Sequence, residues 1–218
     1  MPSYYPVYLN VRERRCVVIG GGHSAERKVL GLLESGALVS VISPQLSTVL
    51  GELAGQGTII WEAREYKVGD LQGAFLAIAA TDNPDAQKAV AKEAELTGVL
   101  LNVIDAADMC TFISPAVVRR GEVTFAISTG GLSPALARKL RTEMQESSFL
   151  LWADLAEMVS EVRLSLFKRG VRPDPDHWQE CLDKELLELF HSGQQAEAKE
   201  RLLKRLQEQP VISQGLSR

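Results

Sequence analysis

Cys16-Val17-Val18-Ile19-Gly20-Gly21-Gly22-His23-Ser24-Ala25 joins a short apolar run to a glycine turn and the start of an amphipathic stretch. The run is β-branched and apolar at consecutive positions, as a strand covered on both faces should be. The turn has the spacing G-x-G-x-x-A. Gly20 permits the tight turn, Gly22 lets backbone N–H groups reach a pyrophosphate, and small Ala25 lets the following helix pack against the strand. An ordinary glycine turn would share these letters, so the context of strand before and helix after carries the reading. Ser24 to Ser35 supplies that helix, with Val29, Leu32 and Leu33 on one side and Gly36 at the left-handed end.

Outward from this motif the pattern repeats. Strands are predicted at Leu38 to Ile42, Thr58 to Trp61, Phe75 to Ala79 and Leu100 to Ile104. Asn83-Pro84 opens a helix that Gly98 closes. Strands alternating with helices give an α/β fold with a parallel, Rossmann-type sheet. After residue 110 the pattern changes, to one strand at Val123 to Ser128, a Gly130-Gly131 turn, and a helix capped by Ser133 with Pro134 first. From Phe149 the chain reads as helix, with Leu151, Leu155, Met158, Val159, Val162 and Leu166 at helical spacing. Residues 172–176 read as a linker, Trp178 to Phe190 and Gln194 to Gln207 as two further helices, and Ser213 to Arg218 as a loose tail. The expected domains are residues 1–112, a segment over 113–145, and a helical C-terminal part over 146–218.

Composition narrows the function. The 218 residues carry 24 basic and 28 acidic side chains, a net charge of −4, which disfavours nucleic acid as a partner. Three cysteines, Cys16, Cys110 and Cys181, form no C-x-x-C pair and fit a reducing cytoplasm better than a disulfide framework. No apolar run approaches the roughly 18 residues of a membrane span, and Met1 to Arg15 has no apolar core of a signal peptide. The histidines His23, His177 and His191 stand apart without metal-ligand spacing, so no metal cofactor is expected; His177 and His191 border linkers and read as solvent-exposed.

The polar residues at strand ends are the candidates for chemistry, because ligands of parallel α/β sheets bind at the carboxyl ends of strands. Gly20, Gly21, Gly22, His23 and Ser24 would surround a pyrophosphate. The acidic residue that commonly holds the adenine ribose about 20 positions on is missing. The second strand ends instead in Ile42-Ser43-Pro44-Gln45, so Ser43 or Gln45 would meet the ribose, and NAD and NADP remain equally open on the residues alone. Thr81 and Asp82 end one strand, Asn102 and Val103 another. Asp82 reads either as a ligand-facing carboxylate or as part of a helix start with Asn83. Asp105 reads either as a general base in an apolar pocket or as an Asx-turn. Ser128, Gly130, Gly131 and Ser133 place hydroxyls and N–H groups at a helix N-terminus, a receptor for a carboxylate or simply a well-capped turn. Residues 117–143, with Arg138 among five cations against two carboxylates, carry net +3 and suit a polyanionic small molecule.

Together these residues resemble the precorrin-2 dehydrogenases of siroheme biosynthesis, including bifunctional dehydrogenase–ferrochelatases. The resemblance runs from Tyr5 to about Met144, through Pro6-Val7-Tyr8-Leu9, Val18 to Gly22 with Ala25-Glu26-Arg27-Lys28, Ala77 to Asp82, Asn102 to Asp105, Phe112-Ile113-Ser114-Pro115-Ala116, and Ser128 to Arg138. It implies a Rossmann domain, a dimerisation segment beginning near residue 113, a helical C-terminal domain, and a homodimer with sites between subunits. It implies NAD as cofactor and precorrin-2, a tetrapyrrole with many carboxylates, as substrate, with sirohydrochlorin and NADH as products. Asp105 matches the family's key carboxylate; Ser128, Gly130, Gly131 and Ser133 match its substrate loop. His23 departs from the acidic or amide residue many relatives carry there, and beyond Gln145 only a helical pattern matches.

Two other functions fit the same residues. The chain could also insert Fe(II), as a substrate, into sirohydrochlorin, with Asp105 taking the pyrrole protons. It could be a non-catalytic NAD-binding sensor, since a fold does not fix a function.

Overall fold

Five parallel strands in the order β3-β2-β1-β4-β5 organise the first half of the chain in the computed structural model, which describes residues 4–208. They are β1 (Arg15–Ile19), β2 (Leu38–Ile42), β3 (Ile60–Glu62), β4 (Leu76–Ala79) and β5 (Leu100–Val103). Between them run α1 (His23–Glu34), α2 (Thr48–Gly55) and α3 (Pro84–Thr97). The parallel sheet predicted from the alternation is present. Period-two geometry explains the continuous apolar runs. Cys16 and Val18 of β1 face one way, packing with Val29 and Leu32 of α1 and Leu50 of α2. Val17 and Ile19 face the other way, with Val90 and Ala94 of α3 and Leu101 of β5. Each fully buried Val or Leu here contributes about 1.5–3 kcal/mol of transfer free energy.

The order of strands fixes where a ligand can sit. From β1 the chain steps outward to β2 and β3, then returns to pair β4 with the opposite edge of β1, in register from Cys16 with Leu76 to Ile19 with Ala79. The direction of winding reverses between β1 and β4, and the crevice of an open α/β sheet lies at that reversal. Ahead of β4, the buried carboxylate of Glu93 in α3 accepts hydrogen bonds from the N–H groups of Gly69 and Leu71, at 3.0 Å each, and from the Tyr66 hydroxyl. Three donors offset the cost of burying that charge and hold the loop that feeds the sheet.

The chain divides into two compact units, one of residues up to Ser114 with Gly130–Leu132, the other of Pro115–Thr129 with residues from Ser133 onward. In the second unit β6 (Ala116–Arg120) and β7 (Val123–Ile127) pair antiparallel, followed by α4 (Pro134–Glu146), a 3₁₀ segment (Ser148–Leu155), α5 (Ala156–Lys168), α6 (Pro175–Cys181), α7 (Lys184–His191) and α8 (Gln195–Gln207). Its core gathers Leu155, Met158, Val162 and Leu166 with Cys181, Leu186, Leu202 and Leu206. Arg120 Nε and one of its terminal nitrogens each lie 2.6 Å from the Asp154 carboxylate, tying the hairpin to the 3₁₀ segment.

Several expectations are corrected. Strand β6 and helix α2 were not predicted at all. The helix read over 178–190 is two helices, because Asp183 turns its carboxylate to the Leu186 N–H at 2.9 Å and starts α7. Asp174 caps α6 and Pro175 occupies its first turn, so the end of the expected linker is a helix start. The stretch read as helix from Phe149 opens instead in a 3₁₀ segment that spans Ser148–Leu155. His177 is not solvent-exposed: its side chain is 12% accessible and Nε2 lies 2.8 Å from the Arg205 carbonyl oxygen. The reading of Ser213 to Arg218 lies outside the described residues.

Candidate active site

The glycine turn is shaped by what lies against it. Gly20 has φ +113, and a Cβ there would stand 2.3 Å from the Ala80 carbonyl oxygen, so β1 and β4 abut where the winding reverses. A Cβ on Gly21 would stand 2.0 Å from the carbonyl oxygen of Gln45 and 2.9 Å from the hydroxyl of Ser43. The Gly21 carbonyl oxygen accepts from the Ser47 N–H at 2.7 Å. The loop after β2 is thereby folded onto the turn. Gly22 differs, with open space where its Cβ would be.

Gly22 is also the N-cap of α1, and no side chain caps that helix. The other helices bordering the turn and the crevice are capped: Ser47 accepts from the Leu50 N–H, and Asn83 from those of Asp85 and Ala86. An open helix N-terminus behind a side-chain-free turn offers N–H groups and a positive dipole end to an anion. A cradle with no room for a Cβ at Gly21 and open approach at Gly22 fits a dinucleotide pyrophosphate.

A concavity of about 260 Å³ opens beside it, lined by Ser24, Ala80, Thr81, Asp82, Gln87, Ile104 and Asp105. The structure thus brings Ser24, Thr81, Asp82 and Asp105 together. Asp82 is not the cap of α3, a role Asn83 takes, so its exposed carboxylate is left to the crevice. Asp105 has φ +61, a left-handed conformation uncommon outside glycine, asparagine and aspartate. Its carboxylate makes no hydrogen bond among the described residues, against the Asx-turn reading. It stands exposed at the crevice rather than in an apolar pocket. Gln87, which the sequence reading missed, donates from Nε2 to the Thr81 carbonyl oxygen at 2.7 Å and lines the same wall. Its position one turn into a helix that starts at a strand end was the available signal.

Other candidates fall elsewhere. Asn102 is buried, donating from Nδ2 to the Phe112 carbonyl oxygen at 3.1 Å, and Val103 is in the sheet core; neither side chain lines the crevice. Ser43 is buried and Pro44 and Gln45 are exposed beside Gly21. The His23 side chain is 95% accessible, with Nδ1 3.6 Å from Glu26. Later in the chain, Ser133 of the second unit caps α4 by accepting from the Leu136 N–H at 3.1 Å; Gly130 and Gly131, which belong to the first unit, have φ +64 and +87. Ser128 directly follows β7, and Arg138 is exposed on α4. Among the cations read from this region, Arg120 pairs with Asp154, and Lys139 pairs with Glu143 on the exposed surface of α4. Burial raises the Cys16 thiol to about 11, so it is unreactive at neutral pH. All three cysteines are free, and among the described residues no group of three His, Cys, Asp or Glu side chains is placed to hold a metal ion.

A parallel sheet in this order, with a glycine turn entering an uncapped helix where the winding reverses, defines a dinucleotide-binding α/β protein. The chain belongs to the family described as "Putative NAD(P)-binding", which matches residues 7–116. It is 38% identical over 205 residues to the siroheme synthase of Methylococcus capsulatus, covering 92% of this chain and 43% of that one. It is 36% identical over 215 residues to the siroheme synthase of Nitrosococcus oceani, covering 98% and 46%. The chain spans less than half the length of these relatives. Among solved structures, SirC, a precorrin-2 dehydrogenase, superposes with a TM-score of 0.71 at 23% identity, covering 94% of this chain and all of that one, a likeness of fold. No helix among the described residues is long and apolar enough to cross a membrane.

Proposed function

We propose that this protein is a precorrin-2 dehydrogenase that uses NAD to form sirohydrochlorin on the route to siroheme. The observation that carries the reading is Asp105, held at φ +61 at the mouth of the crevice beside the uncapped start of α1. When bound, NAD supplies the hydride acceptor. The backbone N–H groups of Gly22, His23 and Ser24 hold the pyrophosphate, and Ser43 to Gln45 meet the adenine ribose. Asp105 takes the proton that the macrocycle loses along with the hydride. The turn and helix start around Ser128, Gly130, Gly131 and Ser133, with Arg138, receive substrate carboxylates.

In this reading residues 1–112 bind the cofactor, 113–145 pair two subunits, and 146–218 form the helical part. Helix α4 supports the pairing. None of its 13 residues is buried in the single chain, and Leu136 and Leu140 are 50% and 43% exposed on one face. The three free cysteines agree with a reducing cytoplasm.

The test is anaerobic absorbance of the protein with precorrin-2 and NAD, followed by Fe(II). NADH formation on the first addition supports the dehydrogenase. Silence at that step, with NAD still bound, would favour the sensor. The siroheme synthase names of the relatives are the reason for the second addition: siroheme formed by this chain alone would make it a chelatase as well.

A further inference from the structure

We propose that Glu26 makes the cofactor site favour NAD over NADP, supplying from α1 the negative charge that the end of β2 lacks. The proposal rests on the dinucleotide reading of the glycine turn. An acidic side chain near the adenine ribose excludes NADP because the 2′-phosphate of NADP carries close to two negative charges. In this chain β2 ends in Ser43, Pro44 and Gln45, none of them charged.

The charge arrives from another element. Glu26 sits in the first turn of α1, its N–H donating to the Gly22 carbonyl oxygen at 3.0 Å. Its carboxylate accepts from the Ser47 hydroxyl at 2.8 Å. Ser47 is the N-cap of α2 and donates its own N–H to Gly21 at 2.7 Å. Gln45, two residues before it, lies directly on Gly21. The carboxylate is therefore fixed at the meeting point of glycine turn, β2 loop and α2, and its side chain retains 19% exposure. A serine hydroxyl brings no opposing charge to the carboxylate, where an arginine would.

Lys28 lies where burial, then the charge of Arg27, lowers its pKa, and where Cys110, beyond β5, raises it. Lys28 thus senses Arg27 and the β5 side of the sheet, while the side chain of Glu26 is hydrogen-bonded into the β2 loop. His23 Nδ1 lies 3.6 Å from the Glu26 carboxylate, on a side chain that is 95% accessible.

The test is direct titration of the purified protein with NADH and NADPH at pH 8, reading dissociation constants from nucleotide fluorescence, for wild type, Glu26→Gln and Ser47→Ala. Glutamine keeps an oxygen to accept from Ser47 and removes only the charge. Wild type should bind NADH at least about tenfold more tightly than NADPH, and Glu26→Gln should narrow that ratio about five- to tenfold, mainly by tightening NADPH. Ser47→Ala loosens the loop without touching the charge and should weaken both nucleotides alike. An unchanged ratio in Glu26→Gln overturns the proposal while leaving the cofactor reading intact, provided the variant's thermal midpoint matches wild type. If it melts early, Glu26→Lys takes its place: failure to shift preference toward NADPH overturns the proposal. A ratio that Ser47→Ala changes as much as Glu26→Gln does would make Glu26 a structural strut and overturn it too. Wild type binding neither nucleotide would overturn both this proposal and the reading beneath it.

Discussion

Gly21 passes so close beneath Gln45 that a Cβ on it would stand 2.0 Å from the Gln45 carbonyl oxygen. The next residue, Gly22, meets nothing within 4 Å and has an ordinary φ of −85°. The two glycines therefore serve different ends, and alanine separates them. Gly21→Ala pushes on backbone that cannot swing aside, so we expect a loss of about 1–3 kcal/mol and a melting midpoint several degrees lower. Gly22→Ala should melt as wild type does but bind NAD at least about tenfold more weakly, because its methyl occupies the open approach to the helix N-terminus. Thermal denaturation and NADH titration of both variants check this; equal effects on stability would contradict it.

At Asp105 backbone and side chain make separable demands. At φ +61, asparagine and glycine are tolerated, whereas alanine costs about 1 kcal/mol. We expect Asp105→Asn to keep stability and nucleotide affinity while lowering the dehydrogenation rate about 10²- to 10⁴-fold. Asp105→Ala should lose both stability and rate. Single-turnover rates beside denaturation curves distinguish the two; a near wild-type rate in Asp105→Asn would remove the carboxylate from proton transfer.

These particulars show what a sequence exposes and what it conceals. The five-strand sheet was legible because both faces of β1, β2, β4 and β5 are covered, so apolar runs mark them. The edge strand β3, with Ile60 65% exposed, starts two residues later than predicted, whereas the starts of β1 and β4 are off by one. Strand β6 escaped because Pro115 precedes it and Arg119-Arg120 ends it, so it reads as a charged loop. The break between α6 and α7 escaped because the apolar period continues across Asp183, and only its cap shows the new start. At the crevice, strand ends pointed to Thr81, Asp82 and Asp105. The same logic pointed to Asn102, whose amide is turned to the Phe112 carbonyl oxygen. Glu26 gave no signal, because its link to Ser47 joins residues that the sequence does not pair.

Acid should unsettle the helical unit at a defined point. Burial tends to raise the Asp183 pKa, but hydrogen bonds from Arg201, the Leu186 N–H and Arg205 outweigh it and hold the carboxyl at about 2. A folded pKa below the unfolded value of about 3.9 means that this stabilisation is present above pH 4 and lost as pH falls from about 4 to about 2. Asp183→Asn keeps an oxygen for the α7 cap but loses the ionic part. With the carboxylate a third exposed, screening leaves about 1 kcal/mol at neutral pH. Urea denaturation followed by the fluorescence of Trp152 and Trp178, both packed against this core, should show the variant less stable at pH 7 and level with wild type near pH 2. A constant difference across that range would locate the effect in the cap.

The proposed pairing of two copies is tested on helix α4. Thirteen residues form a helix with Pro134 at its start and a Ser133 cap, yet none of them is buried in the single chain. Isolated helices of this length are marginal in water, so an apolar face normally has to be covered. Leu136 and Leu140, one turn apart and about half exposed, supply that face. We expect the wild-type protein to sediment as a dimer and Leu136→Asp/Leu140→Asp as a monomer, since two facing carboxylates in each subunit would have to be desolvated to pair. NADH titration of that variant separates the two halves of the proposed function. Retained nucleotide affinity with lost precorrin-2 turnover would mean that the first unit binds cofactor unaided and that the substrate site needs both subunits. A variant that stays dimeric would move the interface off α4 and leave its leucines without an account.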